Sequence, residues 1–100
     1  MKLTELEPRW IHEHVFVFLC PCCRKDWLSC KTVQMSHKTQ RLLFDAVFGE
    51  GGWNVTHVLT KDDTAWKVSS RDFNTMTVTP SLDASASGNW HGFITAGEIK

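Results

Sequence analysis

From His14 the chain packs aromatic and β-branched residues with few polar breaks, HVFVFL over residues 14–19, which predicts a buried strand. Pro21 and the cysteines around it end that run. Residues 28–33 then predict the returning strand of a hairpin, with the cysteines at its tip. From Ser36 the period changes: Leu43, Ala46 and Val47 fall on one face at helical spacing. Ser36 is placed to cap the helix and Gly49 to stop it, with Gly51-Gly52 extending the turn, so a helix over 37–48 is expected. Short strands follow at 53–59, 65–69, 75–79 and 92–95. Turn signals separate them at Lys61-Asp62-Asp63, Arg71-Asp72, Pro80-Ser81 and Ser87-Gly88-Asn89. Met76 and Val78 alternate with threonines, the pattern of a half-buried strand. The expected fold is mostly β (α+β): a small single domain over residues 1–100, with antiparallel strands, one inserted helix and a zinc-knuckle-like hairpin.

Composition narrows the function. Eleven basic residues balance eleven acidic ones, whereas a phosphate-tracking protein carries a clear positive excess, so a nucleic-acid partner is disfavoured. No apolar run approaches the roughly 20 residues that cross a bilayer, and the N-terminus MKLTELEPRW does not read as a signal peptide. A cytoplasmic protein without a membrane partner is expected. In that compartment thiols stay reduced, and clustered cysteines point to metal or redox chemistry before disulfides.

The cysteines are Cys20, Cys22, Cys23 and Cys30, three of them in the stretch CPCC. Cys20 and Cys23 have the spacing with which a tight turn aims two sulfurs at one zinc ion. One such pair cannot close a four-ligand site. The remaining candidates are Cys22, Cys30 and the histidines. Among these His91, in NWHGFI, stands after a Gly-Asn turn that would swing it toward the knuckle. A thiol–disulfide oxidoreductase is the alternative, because a strand followed by CPxC also opens thioredoxin-like active sites, and Thr79-Pro80 would then face the thiols. That motif should lead into an amphipathic helix, and RKDWLSCKTV carries no such stripe. The bland reading, four small core residues, suits Cys30 best. His12 and His14 would share one strand face, but no third ligand accompanies them. Of the five tryptophans, Trp27 beside the cysteines and Trp90 beside His91 are candidate partner-binding residues, since Trp is enriched at binding hot spots.

The combination of Cys20, Pro21 and Cys23 with Trp66, Thr77, Pro80, Ser81 and Leu82, then His91, Phe93, Ile94 and Gly97, resembles a family of small bacterial and phage proteins. Some of its members carry an ammonia monooxygenase label, an activity that a chain this short and soluble would not support. The resemblance spans the first strand and roughly the last forty residues, with residues 34–52 as an insertion. It implies a zinc site built from the CPxC knuckle and the terminal Cys/His segment. It also implies a phage or mobile-element setting, with inhibition of a host defence complex as one role. Family members carry cysteine just before the histidine, where this chain has Gly88, Asn89 and Trp90. The expected ligands are therefore Cys20, Cys23 and His91 with Cys22 or Cys30 as the fourth, in a non-catalytic zinc module that binds a protein partner.

Overall fold

A computed structural model describes residues 1–50, 56–58, 65–85, 88 and 90–100, with residues 56–58 described by their backbone alone. After a short 3-10 helix at Leu3–Leu6, three strands form an antiparallel meander: β1 (Arg9–His12), β2 (Val15–Leu19) and β3 (Trp27–Lys31). Helix α1 (His37–Phe48) then carries the chain to β4 (Thr56–Val58), which pairs with β3 in parallel. A parallel neighbour needs such a crossover, because a tight turn can only reverse direction. The second sheet is antiparallel throughout, in the order β5 (Lys67–Val68), β6 (Val78–Asp83), β7 (His91–Thr95) and β8 (Glu98–Ile99). Lys2 bridges to Glu98 at its edge.

Side-chain alternation explains the layers. In β2, Phe16 and Phe18 point toward the second sheet, where they join Leu28, Cys30, Trp66, Met76, Val78, Leu82, Trp90 and Ile94 in one buried cluster. Val15, of opposite parity, faces α1 and packs with Met35 and Phe44. This is why the first four residues of β2 are all buried, whereas β7 alternates strictly between exposed and buried. Each fully buried Phe or Leu contributes about 1.5–3 kcal/mol relative to exposure, so the strand covered on both faces is the fold's main apolar investment. The Phe18 and Trp90 rings meet edge to face with centroids 6.2 Å apart, and Trp10 stacks on Phe73 at 5.9 Å. Both contacts join the two halves of the chain.

The expected fold class is therefore present: among the described residues, mostly antiparallel β with one α-helix, in two sheets. The helix has the expected bounds, with the Ser36 hydroxyl accepting from the Thr39 N–H at 3.2 Å. Its inward face differs from the expected one. Gln40 and Phe44 are buried, with Leu43 and Phe48 packed beside them, while Ala46 and Val47 are exposed. Phe44 and Phe48 at i, i+4 make a wider apolar contact than the Ala46 side could. β6 begins three residues later than expected and runs through Pro80-Ser81, read above as a turn. The ladder is irregular between Val78 and Leu82, the kind of place where a strand tolerates proline. β1 and β8 had not been expected at all. Much of the strand expected over 53–59 lies outside the described residues.

The candidate metal centre

Leu19 pairs with Trp27, so residues 20–26 close the β2–β3 hairpin. Two backbone bonds shape this loop: the Cys20 N–H donates to the Asp26 carbonyl and the Arg24 N–H to the Cys20 carbonyl, each at 2.8 Å. Arg24 takes a left-handed conformation with φ 55°, which costs a non-glycine residue about 1–3 kcal/mol. That bend turns the next amides back on the loop. The N–H groups of Lys25 and Asp26 both point at the Cys23 sulfur, at 3.5 Å.

The Cys20 sulfur is treated in the same way. Backbone N–H groups of Cys23, Cys22 and Trp90 converge on it, and the Cys23 side chain also reaches it. Burial pushes the Cys20 thiol up, but these donors outweigh it and hold the thiol below its ordinary range. A sulfur ringed by N–H groups is prepared to be a thiolate, the form that binds metal or attacks. Cys22 differs. It is exposed, and its thiol is pushed up, first by partial desolvation and then by the neighbouring Cys20 sulfur.

The other candidates lie elsewhere. Cys30 pairs with Phe16 in the inter-sheet core, three residues up β3 from Trp27 and so about 10 Å along the strand. Burial drives its thiol well above the usual range, with only a small offset from the charge of Lys31. His91 does not reach the sulfurs. Trp90, Gly92 and Ile94 point inward, so His91 shares the exposed face of β7 with Phe93 and Thr95. There it stands opposite Asp83, whose carboxyl is held down by the Ser85 hydroxyl and N–H and, more weakly, by the His91 charge. Among the described residues, no group of three or more His, Cys, Asp or Glu side chains is placed to hold a metal ion. His12 and His14 flank the β1–β2 turn, where the His14 N–H donates to His12 Nδ1 at 3.1 Å.

The two tryptophans differ in exposure. Trp90 is only 8% exposed, which removes it as a surface hot spot; its ring fills the core against Phe18. Trp27 is half-buried on the helix side, tilted against Phe48 with centroids 6.3 Å apart. What the C-terminal segment brings to the knuckle is the Trp90 backbone amide, not the imidazole beside it. Gly92 makes this possible, because a Cβ there would meet the Trp90 ring at 2.6–2.8 Å. The sequence signal was the inward parity of Trp90, Gly92 and Ile94, which assigns His91 to the other face.

The arrangement differs from a thioredoxin-like site. The loop runs into β3, not into a helix whose N-terminus would activate a thiol. Cys20, the thiol held below its ordinary range, is covered, while the exposed thiol, Cys22, is the one pushed up. The Thr79–Pro80 peptide is cis, but Pro80 is exposed, and Trp90 is the residue that faces the Cys20 sulfur. No helix among the described residues is long and apolar enough to cross a membrane. Comparisons with protein-family models, curated proteins and solved structures returned no match to this chain. The resemblance to the bacterial and phage family thus rests on its motif residues alone.

Proposed function

We propose that this chain is a non-catalytic zinc-binding module, with Cys20 and Cys23 as its two metal-holding residues and a protein as its partner. The observation that carries this reading is the set of backbone N–H groups aimed at both sulfurs. Such donors stabilise thiolate charge, orient the ligands, and are the outer-shell partners that metal sites require. Zinc suits a pair of thiolates because it binds them without redox chemistry and takes four such ligands in a tetrahedron. Cys20 and Cys23 supply two of the four positions, and a non-catalytic role requires that protein ligands fill the other two, leaving no position for water. The Trp90 amide ties the hairpin to the second sheet.

The oxidoreductase alternative has one observation in its favour, the lowered thiol of Cys20. A disulfide exchanger needs its most ionised thiol accessible to substrate, and here that thiol lies beneath its neighbours. The test is metal analysis of protein purified without chelator, alongside Cys23→Ser. Retained zinc that is lost in the variant supports the module. A metal-free folded protein, with Cys20 and Cys23 reacting as a reversible disulfide pair, supports the oxidoreductase instead.

A further inference from the structure

We propose that α1 is the contact face of a two-fold dimer, packed antiparallel against α1 of a second copy of this chain. The metal reading plays no part in it, since neither Cys20 nor Cys23 lies on the helix. Helix α1 buries Gln40 and Phe44, so its opposite side turns outward. At about 100° per residue, the centre of that outward side falls at Leu42, with Ala46 one turn on and Lys38 one turn before. Leu42 is 62% exposed, the most exposed large apolar side chain among the described residues. Ala46 is exposed beside it, and a side chain that small lets a second helix approach closely. An exposed leucine alone calls for no partner. Charge is what names one.

The charges on α1 run against the helix's own dipole. Its first turn holds His37 and Lys38 but no acid, and its last turn holds Asp45 but no base. Glu50 follows just past the Gly49 cap. Cations at the N-terminus and carboxylates at the C-terminus are both unfavourable in a lone helix. Asp45 is also incomplete, for its Oδ1 is buried with no hydrogen-bond partner among the described residues. An antiparallel neighbour reverses these penalties, because it sets the acidic end of one helix beside the basic end of the other. The register agrees with the charges. Lys38 and Asp45 lie within about 20° of each other around the helix, on one flank of Leu42. With Leu42 near the two-fold axis, Lys38 of each copy comes level with Asp45 of the other. A two-fold contact needs such a self-complementary patch. A parallel pair would set like charges together, and a partner of one charge sign would match only one end. The helix has 12 residues and is about 18 Å long, so the contact is small and its equilibrium reversible.

Sedimentation equilibrium of the full chain, with reductant and chelator present, tests this from about 10 μM to 1 mM. A monomer–dimer equilibrium is expected, and a monomer throughout overturns the proposal. Leu42→Glu should remain monomeric with the circular dichroism of the parent, since the side chain it replaces is exposed. A dimer that survives this change overturns α1 as the contact. Lys38→Glu moves fold and dimer in opposite directions. It suits the dipole of α1, so the monomer's denaturant midpoint should hold or rise, while dimerisation weakens by about 10-fold or more at low salt. Unchanged dimerisation overturns the charge match. Adding Asp45→Lys to Lys38→Glu restores opposite charges across the pair and should return dimerisation to within about 3-fold of the parent. A folded double variant that stays as weak as Lys38→Glu overturns the antiparallel register.

Discussion

Cys20 and Cys30 are both fully buried and ten residues apart in one hairpin, yet their thiols are driven in opposite directions. At Cys30 apolar side chains surround the sulfur, burial acts almost alone, and the thiol stays neutral. At Cys20 burial acts too, but three backbone amides and the Cys23 side chain reverse its effect. The difference lies in where the chain bends. A straight strand keeps its amides in the ladder, whereas a tight loop with a left-handed residue frees several to point at one atom. Burial therefore does not decide whether a cysteine is inert; the direction of the nearby N–H groups does.

That contrast can be broken most strongly at the metal. Losing an outer-shell donor costs roughly 10–100-fold in metal affinity, so Cys23→Ser, which removes a proposed ligand, should cost about 100-fold or more by competition with a chromophoric chelator. Cys30→Ser should leave that affinity within about 3-fold. Its effect falls on the fold instead: a hydroxyl without a partner in the inter-sheet core costs about 1–3 kcal/mol, read as a lower denaturant midpoint. Equal metal loss in the two variants would erase the distinction between the loop and the strand.

Gly92→Ala tests the link between loop and second sheet. The new Cβ collides with the Trp90 ring, and overpacking of this kind costs about 1–3 kcal/mol. Because Trp90 also donates to Cys20, metal affinity should fall as well, by about 10-fold, although residue 92 touches no ligand. A stability loss with unchanged affinity would show that the Trp90 amide does not matter to the site.

The smallest effect is on pH dependence. Cys20 has a lowered folded pKa, so in metal-free protein its stabilising contribution is full above the unfolded value, near 9.0, and is lost as pH falls through the folded value. Cys30 has a raised folded pKa, so it begins to destabilise as pH rises past the ordinary 9.0 at which the unfolded chain ionises. Denaturant midpoints measured from pH 7 to 10 should therefore lose their alkaline decline in Cys30→Ala and their rise on approaching pH 9 in Cys20→Ala. Indistinguishable profiles would contradict the opposed directions.

Much of the architecture could be read from the residues, for local reasons. The β-branched run after His14 and the caps at Ser36 and Gly49 act within a few residues of themselves. The face of α1 could not be read so simply, because both of its sides carry apolar residues and the larger rings of Phe44 and Phe48 won. β8 is two residues long and is held by pairing with β7 and with the N-terminus, a long-range fact with no local signature. The CPxC loop was legible from its spacing. The chemistry of His91 points toward the knuckle, but the parity set by Trp90 and Gly92 assigns it to the outside. The amide donors were invisible, since any residue can present an N–H and only the bend selects which ones do.

X-ray absorption at the zinc edge on the loaded protein tests the central claim most directly. Two or more sulfur scatterers at about 2.3 Å are the predicted result. A shell of nitrogen and oxygen alone would contradict the proposal that the loop cysteines hold the metal.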